Sequence, residues 1–236
     1  MDHLTRWRRR RALSRPGVPD DVRRFLGSSW PDAGLLWRHA PFTALDLETS
    51  GLDPRRDQIL AVGMVDIDHG RVRLETAFDT LVSPPPGHVV GVSSIRVHGL
   101  LPDRLARAPS IGEVLPVLAR RLQGRVVVVH VADIDRPFLD RAFRAAWGCG
   151  AWMPLLDTAR IAAWFDDQPL LGTGRRPDEP LMRRLPDIAR SMGVPVGRQH
   201  DAFEDALTCA QLLLALATRL EAMGMGTLGA LRRVGT

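Results

Sequence analysis

The chain has 236 residues, 45% hydrophobic and 25% charged, a composition that argues against disorder and leaves room for one sizeable α/β domain with an appendage. Its 32 basic residues are all Arg, and Lys and Tyr are both absent; GC-rich codon usage accounts for this, so the net charge of +5 alone identifies no partner. No apolar run approaches the roughly 18 residues of a membrane span, the N-terminus lacks the apolar centre of a secretory signal, and Cys149 and Cys209 form no paired motif, so a soluble, cytoplasmic protein with no membrane partner is expected.

Residues 1–40 mix Arg, Pro and Gly with isolated apolar side chains. They read as a basic extension, partly helical or flexible, with one or two short helices and a surface for a protein partner. Its cluster RWRRRR at 6–11 suits either phosphate binding or a solvated tail. From Pro41 the chain changes character. FTALDL (42–47), QILAVGMVDID (58–68) and RVRLETAFDTLV (71–82) read as three strands, with DHG supplying a hairpin turn between the second and third. SPPPGHVVG (83–91) is a connection, because its prolines suit neither a sheet interior nor a helix. IGEVLPVLARRL (111–122) has helical spacing and is closed by Gly124. RVVVVHV (125–131) is a continuous apolar strand of the kind covered on both faces, and a helix is expected over about 136–147. MPLLDTARIAAWF (153–165) fits a short strand running into a helix capped by Asp157 or Thr158. A polar loop spans 166–180, a helix 181–194 and a long amphipathic helix 201–223. This order implies an α/β fold with a mixed sheet flanked by helices, a main domain over 41–223 and a short tail over 224–236.

Three carboxylate-bearing segments carry the chemistry. ALDLET places Asp46 and Glu48 at i and i+2 of a strand, on one face, just before the turn TSGLDP. Neighbouring carboxylates at a buried strand end repel and lose hydration, which a divalent cation relieves; a solvated strand end is the alternative. VVVVHVADIDRPFLD places Asp133, Asp135 and Asp140 after a buried strand. In HDAFEDA, Asp201 and Glu204 resemble a capping pattern, which leaves His200 and Asp205 without a structural duty.

In this order and at these separations, DLETSGLDP, HVADIDRPFL and HDAFEDA resemble the three motifs of the DnaQ-like exonucleases, in their DEDDh branch. HGL at 98–100, LDTARIA at 156–162 and LPDIARSMGVP at 185–195 add to the resemblance, which covers about 41–220. It implies a ribonuclease H-like fold and 3′-to-5′ hydrolysis of phosphodiester bonds, releasing nucleoside 5′-monophosphates. It further implies Asp46, Glu48, Asp135 and Asp205 as ligands of two Mg²⁺ ions, with Mn²⁺ able to substitute, and His200 as general base. Oxygen ligands suit both ions, and imidazole titrates near neutral pH. Thr49, Leu52 and His98 become candidates for holding the terminal nucleotide, each with a local structural alternative. Among the three aspartates of the second motif, Asp135 shares a helical stripe with Phe138, Leu139 and Ala142, whereas Asp133 points elsewhere and Asp140 is expected to be solvated.

The sequence departs from the family at Val131, where an Asn is usual, and at Ile134, where a Phe is usual. A changed nucleotide preference or a slower enzyme is the expected consequence. Single-stranded 3′ ends are the expected partner, with DNA favoured over RNA. Two other functions fit the same motifs: a proofreading, epsilon-like polymerase subunit, and a catalytically inactive nucleic-acid-binding module.

Overall fold

The computed structural model describes residues 3–15, 17–168 and 184–236. Strands β1 (Phe42–Thr49), β2 (Ile59–Asp68) and β3 (Arg71–Leu81) form an antiparallel run, joined between β2 and β3 by a turn in which His69 and Gly70 both take positive φ. Strands β4 (Val126–Val129) and β5 (Leu155–Asp157) then add in parallel, and the order across the sheet is β3-β2-β1-β4-β5. β4 is apolar and fully buried, as a strand with both faces covered must be.

Two apolar layers cover the sheet. On one face Leu45, Leu47, Val127 and Val129 meet α5 (Ile111–Arg121) and α6 (Ala132–Trp147) through Leu115, Leu118, Phe138 and Phe143. On the other, Ala44, Val65, Val126 and Val128 meet α7 (Thr158–Asp166), α8 (Leu185–Ser191) and α9 (Ala202–Ala222). Alternation along each strand divides the two sets. Helices outside 41–223 also feed these layers. Val22, Phe25 and Leu26 of α2 (Asp20–Gly27) join the first, and Leu228 and Leu231 of α10 (Leu228–Gly235) join the second. α1 (His3–Leu13) packs on α2. The segment expected to be a short tail therefore ends in a helix, capped by Thr227 Oγ1, which accepts from the Ala230 N–H.

Other departures have local reasons. α3 (Val92–His98) and α4 (Pro102–Leu105) follow the proline-rich connection and are too short to show helical periodicity. α6 starts at Ala132, a turn before the expected 136, for a reason that lies in the site itself. The expected helix over 181–194 is described only from Leu185, and most of the loop over 166–180 lies outside the described residues.

Candidate active site

The C-terminal ends of the parallel strands β1, β4 and β5 share one edge of the sheet, and the carboxylates collect there. Asp46 and Glu48 project from β1 on the same face, Glu48 being 8% exposed. Asp46 pairs in register with Gly63 of β2. A methyl group at Gly63 would overlap the backbone carbonyl of Ala202. The missing side chain therefore lets the first turn of α9 rest directly on the sheet beside Asp46. That turn carries Asp205, whose Oδ2 accepts a hydrogen bond of 2.8 Å from the His200 N–H. Asp201 caps the helix by accepting from the Glu204 N–H. The capping pattern is thus present, and Asp205, expected to have no structural duty, also holds the His200 N–H. His200, at φ 59°, bends the chain into the helix and stays exposed. Glu48, His200 and Asp205 each bring one ligand atom to within 4.8 Å of the others.

Asp135 arrives from the opposite layer on the first turn of α6, 3% exposed. That turn is held by a residue distant in sequence. The buried Asp157 carboxylate accepts from the Val131 N–H (3.0 Å), the Ala132 N–H (2.9 Å) and the Ala159 N–H (2.9 Å). It therefore caps α6 and α7 together, satisfying donors that a helix start leaves unpaired. The local segment has no capping side chain before Asp133, which is why sequence periodicity placed the start of α6 too late. Asp157 or Thr158 was expected to cap α7, and Asp157 does so; its hold on α6 has no local signal in sequence.

Of the other aspartates in the second motif, Asp133 faces outward and pairs with Arg160 at 3.3 Å. Asp140 is not solvated as expected: its Oδ1 accepts from the Ala151 N–H at 3.0 Å and closes the bend after α6.

Electrostatics marks this edge as unusual. Burial, and then the charges of Asp135, Glu48 and Asp205, holds the Asp46 carboxyl well above the ordinary range. Glu48 is raised to about 7 by burial and then by Asp205 and Asp201. Asp135 is raised to about 8, again chiefly by burial, and Asp205 is also raised by burial. Carboxylates crowded together in a buried setting suit a divalent cation, which removes both the repulsion and the desolvation cost.

The candidate substrate contacts fall around the turn after β1. Leu52 lies at its tip, 78% exposed. Thr49 Oγ1 donates to the Gly51 carbonyl and begins the turn. His98 is buried at the end of α3, where Nδ1 accepts from the Leu100 N–H and Nε2 lies 2.6 Å from Ser94 Oγ. Ser94 Oγ in turn donates to the Thr49 carbonyl, so His98 braces the turn from behind. Its pKa is lowered, first by burial and then by the charge of His200.

Comparison with known proteins identifies the family. The sequence profile of the RNase_T exonuclease family matches residues 43–213. The DNA polymerase III subunit epsilon of Treponema pallidum is 30% identical over 179 residues, covering 75% of this chain and 77% of that protein. A DNA polymerase III subunit epsilon-like protein of Rhodobacter capsulatus is 32% identical over 80% of this chain, and a PolC-type DNA polymerase III of Thermotoga petrophila 29% identical over 80%. The chain spans only 25% and 13% of the lengths of these last two. Among solved structures, Exonuclease I of E. coli in complex with a dT13 oligonucleotide superposes with a TM-score of 0.66 at 14% identity, covering 79% of this chain and 43% of that one. With a mixed five-stranded sheet and a family profile that spans all three carboxylate-bearing segments, the chain belongs to the DnaQ-like exonucleases of the ribonuclease H fold.

Proposed function

We propose that the protein is a metal-dependent 3′-to-5′ exonuclease of the DEDDh type, acting on single-stranded nucleic acid and releasing nucleoside 5′-monophosphates. The observation that carries this reading is the convergence of Asp46, Glu48, Asp135 and Asp205 from both layers onto one sheet edge, with His200 beside them. Those four carboxylates would hold two Mg²⁺ or Mn²⁺ ions, which when bound neutralise charge on the phosphodiester and favour ionisation of the attacking water. His200, exposed and tied through its backbone to Asp205, takes the proton from that water. Leu52 and Thr49 contact the terminal nucleotide, and His98 keeps their turn in place. The oligonucleotides in the Exonuclease I complexes support a single-stranded DNA substrate.

A 5′-labelled oligonucleotide incubated with Mg²⁺ or Mn²⁺ should yield a ladder shortening from its 3′ end, and EDTA should stop it. Asp46→Ala should lower the rate by at least about 10³-fold, as expected when an interaction made in the transition state is removed. Binding without cleavage under all metal conditions would instead identify a non-catalytic module. The match to 77% of the T. pallidum epsilon subunit favours proofreading beside a polymerase as a second reading.

A further inference from the structure

A cavity of about 1020 Å³ opens beside another face of the first turn of α6, and none of the four proposed ligand carboxylates lines it. Three arginines from distant parts of the chain reach it: Arg10 of α1, Arg136 of α6 and Arg232 of α10. Trp30 and Trp152, both half-buried, complete its walls.

The other charged side chains at this cavity already have partners. Arg9 donates to the Phe25 and Ser28 carbonyls and stacks on Trp30. Arg160 pairs with Asp133 and Asp157. Asp32 accepts from the Gly34 N–H. Arg10, Arg136 and Arg232, by contrast, have no ion pair among the described residues. Three guanidinium forks around one concavity suit an anion with several acceptor oxygens.

Trp152, half-buried beside these guanidinium groups, favours single-stranded nucleic acid over an acidic peptide, because bases stack on an indole where carboxylates have nothing to stack. Position adds to this. Ile134, 39% exposed, stands on the α6 turn that separates the cavity from Asp135. The first turn of α6 is thus common to the cavity, through Ala132 and Asp133, and to the carboxylate edge, through Asp135.

We infer that this cavity is a second contact region for the substrate strand, gripping phosphates and bases that lie 5′ of the scissile bond. The inference rests on the exonuclease reading for the direction of the strand. It assigns to Arg10, Arg136 and Arg232 a role in holding long substrates, and none in the hydrolytic step.

The test is binding of the full chain, in EDTA, to 5′-fluorescein oligothymidylates of increasing length, followed by anisotropy across a salt series. The variant Arg10→Ala/Arg136→Ala/Arg232→Ala should bind the shortest strands as the wild type does. On long strands it should bind roughly tenfold more weakly, and its plot of log affinity against log salt should be shallower by about 2, from about 0.7 per lost phosphate contact. The corresponding triple Lys variant should keep most of the salt slope, which separates lost charge from lost folding. Equal affinity and slope for wild type and the triple Ala variant would overturn the inference. So would unchanged oligonucleotide binding accompanied by loss of binding to an oligoglutamate peptide. Because EDTA removes cleavage from the measurement, the two readings fail separately. Arginine-dependent binding without Mg²⁺-dependent cleavage defeats the exonuclease, and cleavage with arginine-independent binding defeats the second contact region.

Discussion

Val131 sits at φ 67° and ψ 71°, a left-handed backbone that a β-branched side chain adopts only under strain. The reason is the corner between β4 and α6. Asp157 draws in the N–H groups of residues 131 and 132, and the chain must turn left-handed to present them. Asn adopts this conformation with less strain, which gives a backbone reason for the residue usual at this position in the family. The sequence alone showed only that an amide was missing, and pointed to substrate contact or to bracing of a neighbouring ligand. Val131→Asn is accordingly expected to stabilise the protein by about 1 kcal/mol, raising the unfolding midpoint by ~2–4 °C, without reducing exonuclease activity. Thermal unfolding measures this directly, and a lowered midpoint would mean that Val131 contributes more by packing than it loses by strain.

At the scale of elements, the contact between β2 and α9 decides where the last motif goes. Gly63 was read simply as part of an apolar strand, since nothing local distinguishes a glycine that a helix must touch. Gly63→Ala should push the start of α9 outward, cost about 1–3 kcal/mol through overpacking, and lower the exonuclease rate by roughly 100-fold through displacement of Asp205 and His200. A rate unchanged within a few-fold would show that α9 is not positioned by this contact. The strands β1 to β3 were legible because hairpin chemistry and continuous apolar runs are local signals. The first turn of α6 was not, because its cap comes from β5, some 25 residues later in the chain. The short helices α3 and α4 lack enough residues to show a period. The inward position of Asp135 was nevertheless legible, since its stripe with Phe138 and Leu139 extends into the regular part of the helix.

For the whole molecule, the crowded carboxylates tie stability to pH and to metal. Glu48 at about 7 and Asp135 at about 8 both lie above their unfolded values. Their contribution is therefore fully present below the unfolded carboxyl range and is lost as pH rises through the folded values. In EDTA the unfolding midpoint should fall between about pH 5 and pH 8. Mg²⁺ or Mn²⁺ should restore it, by an increment that grows with pH as the ligands ionise. A metal-induced increment independent of pH would argue against these carboxylates as the ligands. Charge distribution was the least legible property at this scale. RWRRRR offered a solvated tail or a phosphate grip, yet Arg9 is buried against Trp30 and serves the fold, while Arg10 faces the cavity.

The exposed position of His200 has a consequence for turnover. The proposed ligands are set into buried strands and helix starts, whereas the proposed base, His200, stands in solvent before α9. In the proposed mechanism a proton it accepts would pass straight to bulk buffer, so no internal chain of side chains would have to relay it outward. Each cycle can then reset the base independently of the strand, and proton release places no demand on motion of the protein between one nucleotide and the next.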